Sequence, residues 1–286
     1  MISFVIPSMR PRRAELLRCL AALARETTGI ESEALVVVED HGAGAGLAER
    51  STPDLAVRAV VQPGGAARRR NTAFKALAGD VVALLDDDAE PSAGYGRALA
   101  ARFADGADRV VQGAVWPAFD VEPSPELASV VFSIGGFNRH GDARRDDVFI
   151  SANCAFTRCV LELVGPMRED MGPGSGGVPW GDDTEWHARA TRLHVPTEFD
   201  DAVAVRHRIQ ADRIGVEAVL ARAERVGRTR ARIEWDARRP GAIDLLRQRA
   251  LAAWARTKGD GIEARCLARR LAGYADELST IRAGSS

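Results

Sequence analysis

Short apolar runs alternate with amphipathic segments through the first third of this 286-residue chain, and that rhythm limits the fold more than any other feature. Strand-like runs fall at Ser3 to Pro7, Leu35 to Glu39, Val57 to Val61 and Val81 to Leu85, with another at Arg109 to Trp116. After Pro11, Leu16, Leu17, Leu20 and Leu23 recur at helical spacing, and Ala66 to Ala78 has a helical pattern carrying Arg68, Arg69, Arg70 and Lys75. Strand, helix, strand in this order predicts an α/β fold built on a doubly wound, mainly parallel sheet. In such sheets ligands bind outside the carboxyl ends of the strands.

One strand end is chemically marked. Val81 to Leu85 runs directly into Asp86, Asp87 and Asp88, followed by Ala89, Glu90 and Pro91. If the strand continues, alternation turns Asp86 and Asp88 to one side and Asp87 to the other. Two neighbouring carboxylates repel unless a cation lies between them. A hard divalent ion such as Mg2+ or Mn2+, shared with a substrate's phosphates, suits that position. The competing reading is a solvated acidic turn or a helix cap.

Beyond Trp116 the pattern loosens. Pro117 to Asp147, with Pro123, Pro125 and Gly135-Gly136, is expected to be less regular, either a variable substrate loop or simply an irregular excursion. Order returns from Phe149 to Arg158, and a short helix ends near Val164-Gly165-Pro166. The glycine-rich run Met171 to Gly181 precedes a helix from Asp182 to Leu193, whose first residues complement the positive helix end. Past His207, helices are predicted over Ala211 to Arg232, Ala242 to Thr257 and Ile262 to Ile281.

Net charge is −1, so the molecule as a whole is not built around a polyanion, although basic residues outnumber acidic ones after Asp212. Interspersed glutamates and alanines argue against a nucleic-acid grip. No apolar run approaches the ~18 residues a membrane span needs. Cys19, Cys154, Cys159 and Cys266 have neither metal-ligand nor disulfide-framework spacing, as expected of reduced thiols in a cytoplasmic protein.

Taken in order, Val5-Ile6-Pro7-Ser8, Val38-Glu39-Asp40, Arg70-Asn71 and Leu85 to Pro91 resemble the family 2 glycosyltransferases of GT-A fold. Ser151 to Arg158 with Val164 to Met167 is similar to that family's acceptor-side core. Gly181-Asp182-Asp183-Thr184-Glu185-Trp186 resembles its Glu-Asp motif, and His207 falls where many members carry a histidine. The resemblance covers roughly residues 1–234. It implies a catalytic domain over 1–210, with a nucleotide-sugar half at 1–115 and an acceptor half at 116–210, followed by a helical C-terminal extension over 211–286.

The resemblance further implies inverting transfer of a sugar from a nucleotide-diphosphate donor, UDP first and GDP or dTDP open, to a glycan, lipid or metabolite hydroxyl. Asp86 and Asp88 would hold Mn2+ or Mg2+ with His207 as a third ligand. Pro7, Ser8, Glu39, Asp40, Arg70, Asn71, Asp86 and Asp87 would line the donor. Arg68 and Arg69 share a helix with Arg70, and one helix cannot aim all three at one ligand. Asp183 matches the catalytic base of the motif, but Asp182 stands where Glu is commoner, so either is open. Trp180 and Trp186 flank the pair as an acceptor platform or as core. His187 would orient Asp183 or form a surface ion pair, and His41, His140 and His194 have no partner at readable spacing. A nucleotidyltransferase and a non-catalytic nucleotide-sugar-binding module are the alternatives. The basic helical tail is open to packing on the catalytic domain, to a homodimer or to peripheral contact with the inner membrane face.

Overall fold

The computed structural model describes residues 1–8, 13–134, 149–178 and 180–284. The stretch expected to be irregular, Pro117 to Asp147, is ordered in its first half, where a strand reaches Phe119 and a helix spans Pro125–Ile134. Its part from 135 to 147, His140 and the basic residues Arg10 and Arg12 lie outside the described residues. The chain forms two compact units: one from 1–118, 149–176 and 182–208, the other from 119–134, 177–178, 180–181 and 209–284.

In the first unit, β1 (Ile2–Pro7), α1 (Arg13–Glu26), β2 (Ser32–Val38), a one-turn α2 (His41–Gly44) and β3 (Leu55–Val61) follow one another. Then come α3 (Ala66–Phe74), β4 (Val81–Leu85), the short β5 (Ala89–Pro91), α4 (Tyr95–Arg102) and β6 (Val110–Phe119). α5 (Pro125–Ile134) belongs to the second unit, after which β7 (Asn153–Thr157), α6 (Arg158–Val164), α7 (Asp182–Arg192) and β8 (Thr197–Ile209) complete the sheet side.

The eight strands order as β3-β2-β1-β4-β7-β6-β8-β5. β1 pairs in parallel with β2 and β4, and β2 with β3, while β7 runs antiparallel to both β4 and β6. The chain steps from β1 outward through β2 to β3 and then returns to β4 on the other side. A crevice therefore opens where the order reverses, at the carboxyl ends of β1 and β4.

Composition explains the roles of the strands. β2 is buried along its whole length, as an interior strand should be, and β3 at the edge alternates buried and exposed residues. Leu16, Cys19, Leu20 and Leu23 pack one face of α1 inward. Trp186 on α7 has no exposed surface, contacts the rings of Phe149 and Phe156, and donates its indole N–H to the Gly165 carbonyl at 2.8 Å. It is a core residue, the second of the two readings its position left open.

The second unit is helical: α5, α8 (Val216–Arg238), α9 (Ala242–Arg256) and α10 (Ile262–Gly284). α8 starts later than the sequence pattern predicts because a single 3-10 turn at Ala211–Arg213 and Gly215 intervene. Gly227 and Gly273 let α8 and α10 approach closely, and Ala231, Tyr274 and Leu278 fill the seam. Buried Glu277 on α10 accepts hydrogen bonds from Arg228 (3.0 Å) and Arg232 (2.9 Å) on α8. On α9, Ile243, Leu246 and Trp254 are exposed. Among the described residues, no helix is long and apolar enough to cross a membrane.

Candidate active site

The acidic run leaves β4 after Leu85 and turns instead of extending, with the Ala89 amide donating to the Asp86 carbonyl at 3.1 Å. Asp86 and Asp88 still converge, but a turn brings them together and strand alternation does not. β5 then pairs antiparallel with β8 in a register that sets His207 opposite Ala89, and the Arg208 amide donates to the Asp88 carbonyl at 3.0 Å. This register delivers an imidazole to the acidic turn from 119 residues away. His207 Nε2 lies 2.8 Å from Asp88 Oδ1 and 3.9 Å from Asp86 Oδ2. One ligand atom from each of Asp86, Asp88 and His207 falls within 4.8 Å of the others, a spacing that could hold a metal ion. Asp87 and Asp88 are buried, while the Asp86 side chain keeps 29% of its surface exposed.

Arg70 is the hinge of the site. It lies on α3, is 3% exposed, and reaches Asp182 with Nη1 (2.8 Å) and Asp86 with Nη2 (3.1 Å). Burial works against its charge, but the two carboxylates more than offset this and hold the proton tighter than on a free arginine. Both hydrogen-bonding arms are committed to protein, so Arg70 fixes the two acidic motifs relative to each other. Asn71 is equally committed. Its amide donates to the Met167 carbonyl (2.8 Å) and accepts from the Met167 amide (2.9 Å). Arg69 donates to the Ser8 carbonyl and lies 4.0 Å from Glu39, and exposed Arg68 pairs with Glu169 at 2.9 Å. The three arginines thus share no partner among these.

Asp182 and Asp183 are adjacent but differ in environment. Asp182 is buried, and burial pushes its carboxyl up to about 7, with Arg70 opposing the rise and Asp183 adding to it. The glycine-rich run explains how it fits. A side chain at Gly172, whose φ is +91°, would place Cβ 2.6 Å from the Asp182 carboxylate. Gly65 at the start of α3 likewise meets the 173–175 backbone at 3.0 Å, and the Ala66 amide donates to the Pro173 carbonyl at 2.9 Å. Asp183 is half-buried. Its Oδ2 accepts from both the amide and the hydroxyl of Ser151 at 3.0 Å, and Oδ1 accepts from the Thr184 amide at 2.7 Å. Gln112 on β6 holds that turn by accepting from the Ile150 amide (2.7 Å) and donating to the Asn153 carbonyl (2.8 Å). Ser151 lay in a noticed motif, yet its contact with Asp183 spans 32 residues and has no local signal.

The remaining residues sort by position. Pro7 and buried Ser8 end β1 at the crevice, and Glu39 and Asp40 follow β2. Asp40 caps α2, with Oδ1 accepting from the Ala43 amide at 3.0 Å. His187 is buried rather than in a surface ion pair, and Asp183 acts on it through charge, opposing the effect of burial. It stacks on Phe149 at 4.6 Å, bonds Thr197 Oγ1 at 3.0 Å, and burial lowers its pKa. Trp180 lies in the second unit against α8, where its carbonyl accepts from Thr229 Oγ1 at 3.0 Å.

The reversal of the parallel strands, with an acidic turn at the switch point and a second acidic pair on a helix start, puts charged side chains where α/β sheets bind ligands. Residues 3–162 match Glycosyl transferase family 2, over half of the chain, and the chain belongs to that family. It is similar in fold to the mannosyltransferase PcManGT from Pyrobaculum calidifontis in complex with GDP-Man and Mn2+, at 18% identity and a TM-score of 0.56. That match covers 100% of this chain and 76% of PcManGT. Similarity to S. aureus TarS 1-349 has 14% identity and a TM-score of 0.52 over 99% of this chain and 91% of that one. Against a longer TarS chain, this chain spans 55% of the length. These neighbours establish the GT-A fold. No curated protein sequence gives a significant match.

Proposed function

We propose that this family 2 glycosyltransferase moves a sugar from a nucleotide-diphosphate donor to an acceptor hydroxyl, with inversion, using a divalent cation held by Asp86, Asp88 and His207. The observation that carries this reading is the convergence of those three side chains at the switch point of the sheet. Two carboxylates and one imidazole form a donor set that suits Mn2+, and Mg2+ with additional water. When bound, the cation supplies positive charge to the diphosphate oxygens that gain negative charge as the glycosidic bond breaks. The complexes of PcManGT with GDP-Man and Mn2+ and of TarS with UDP-GlcNAc support a nucleotide-sugar donor and leave UDP and GDP both open.

Pro7, Ser8, Glu39, Asp40 and Asp87 border the nucleotide in this reading. Arg70 and Asn71, placed by the resemblance on the donor, act instead as positioning residues. Arg70 holds Asp86 in place for the cation and Asp182 at the start of α7. Asp183 is the base that takes the acceptor's hydroxyl proton. It is the accessible member of the pair, and Ser151 and Thr184 fix its carboxylate, whereas Asp182 is buried against Arg70. The carboxylate of Asp183 becomes a carboxyl as the acceptor oxygen attacks.

Isothermal titration with UDP and GDP in Mn2+ and in EDTA tests the donor half. Affinity should depend on the cation, and Asp88→Ala should abolish that dependence. Asp183→Asn should bind donor as the parent does while turnover, followed as nucleoside diphosphate released, falls by about 100- to 10,000-fold. Full turnover in Asp183→Asn would remove it as the base, and loss in Asp182→Asn alone would reverse the pair.

A further inference from the structure

Arg222 sits on α8 in the helical unit with only 4% of its surface exposed. Its Nη1 has no hydrogen-bond partner among the described residues. A guanidinium removed from water needs a counter-charge or a full set of acceptors, because an uncompensated buried charge is among the costliest features a fold can carry. None of the described residues supplies one. The charges that act on it are Arg213, at the turn before α8, and Arg225, one turn along α8, and both are positive. Burial first and these two neighbours next lower the Arg222 pKa to about 10. Trp180 covers the guanidinium, with its ring centroid 6.0 Å from the central carbon.

The surroundings are built to hold that arrangement. Thr229, two turns after Arg222, donates to the Trp180 carbonyl at 3.0 Å. A Cβ on Gly181, whose φ is +84°, would fall 2.2 Å from Thr229 Cγ2. The backbone before α7 is therefore pressed onto α8 at this point, and the indole is held over Arg222. Two further arginines beside one buried guanidinium, with an aromatic wall, form a receptor for an anion.

We infer that Arg222, with Arg213 and Arg225, forms an anion site in the helical unit that takes a phosphate group. The planar guanidinium fork matches phosphate oxygens, and three positive charges suit a dianion better than a single carboxylate. Its residues belong to the helical unit, whereas Asp86, Asp88 and His207 belong to the first unit, and its assignment does not depend on the glycosyl-transfer reading. The phosphate can belong to a soluble phosphomonoester or to a lipid headgroup, and both present the same oxygens.

Thermal unfolding of the full chain tests this in EDTA at constant ionic strength, which keeps the divalent-cation site out of play. Saturating inorganic phosphate or glycerol 1-phosphate, exchanged for chloride, should raise the wild-type midpoint by roughly 5 °C. Arg222→Met should lose that shift. Without phosphate it should melt no lower than wild type, because the substitution removes a charge that lacks a partner. Arg222→Lys, which keeps the charge but not the fork, should show a reduced shift. Flotation with phosphatidylcholine vesicles containing phosphatidic acid separates the sources. Vesicle binding that Arg222→Met abolishes assigns a lipid phosphate, and a phosphate shift without such binding assigns a soluble one. No wild-type shift, an equal shift in Arg222→Met, or a phosphate-free Arg222→Met that melts well below wild type would overturn the site.

Discussion

The guanidinium of Arg70 bonds Asp182 and Asp86 from the interior of the first unit, so its removal leaves two carboxylates facing each other with no cation between them. Breaking a buried pair in this way costs about 3–5 kcal/mol. Arg70→Met should lose that much stability in urea unfolding, and Arg70→Lys should recover little, because one ammonium cannot fork to both acids. Glu33 makes a separate prediction about pH. Burial would raise its pKa, but hydrogen bonds from Ser3 Oγ (2.6 Å), the Ala78 amide (2.6 Å) and Arg58 more than offset this and lower it. Between its folded and unfolded pKa values the unfolded chain binds more protons. The stabilisation is therefore complete above the ordinary glutamate range and is lost as pH falls through the lowered folded value. Unfolding of Glu33→Gln against wild type from pH 7 to pH 3 should show a gap that closes on acidification. At this scale the sequence named the acids and the basic residues near them but not which pairs with which. Asp86, Asp88 and Asp183 stand in legible motifs, and Arg70 stands in one too, but as a donor contact; its pairing with Asp182 spans 112 residues and leaves no local mark.

Elements decide where those residues go. β1, β4 and α7 carry strong local signals: apolar runs of strand length for the first two, and a glycine lead-in with acids at a helix start for the third. β8 was not legible as a 13-residue strand, because its first half is exposed or half-buried and carries Glu198, Asp200 and Asp201, and only Val203 to Ile209 is largely buried. Its pairing with β5, a strand of three residues, places His207, and so short a strand has no periodicity to detect. Close approaches between elements give two tests. Gly172→Ala would force a Cβ against Asp182 at a backbone angle that favours glycine, so it should cost about 1–3 kcal/mol and disturb the Asp182–Arg70 pair. In the helical unit, a Cβ at Gly227 would lie 1.9 Å from the Arg270 carbonyl of α10. Gly227→Ala should speed amide hydrogen exchange in α8 and α10 while leaving β1 and β4 protected. Equal protection throughout would show that the seam can open without loss.

Across the whole molecule, the alternating pattern of the first third was enough to anticipate a doubly wound sheet, and the helical periodicity after His207 anticipated α8, α9 and α10. The antiparallel pairings of β7 with β4 and β6, and of β8 with β5, were not anticipated, since strand direction is set by long-range pairing and leaves no mark in a short apolar run. The family match and the fold likeness make the chain a family 2 glycosyltransferase of GT-A fold. Its proposed chemistry rests on one cluster of three side chains. Crystals soaked in Mn2+ with a nucleoside diphosphate and measured at the manganese absorption edge test that cluster most directly. The account predicts one strong anomalous peak about 2.1–2.3 Å from a carboxylate oxygen of Asp88 and near His207 Nε2, lost in Asp88→Ala. A nucleoside diphosphate bound in the crevice with no anomalous peak beside Asp86, Asp88 or His207 would contradict it.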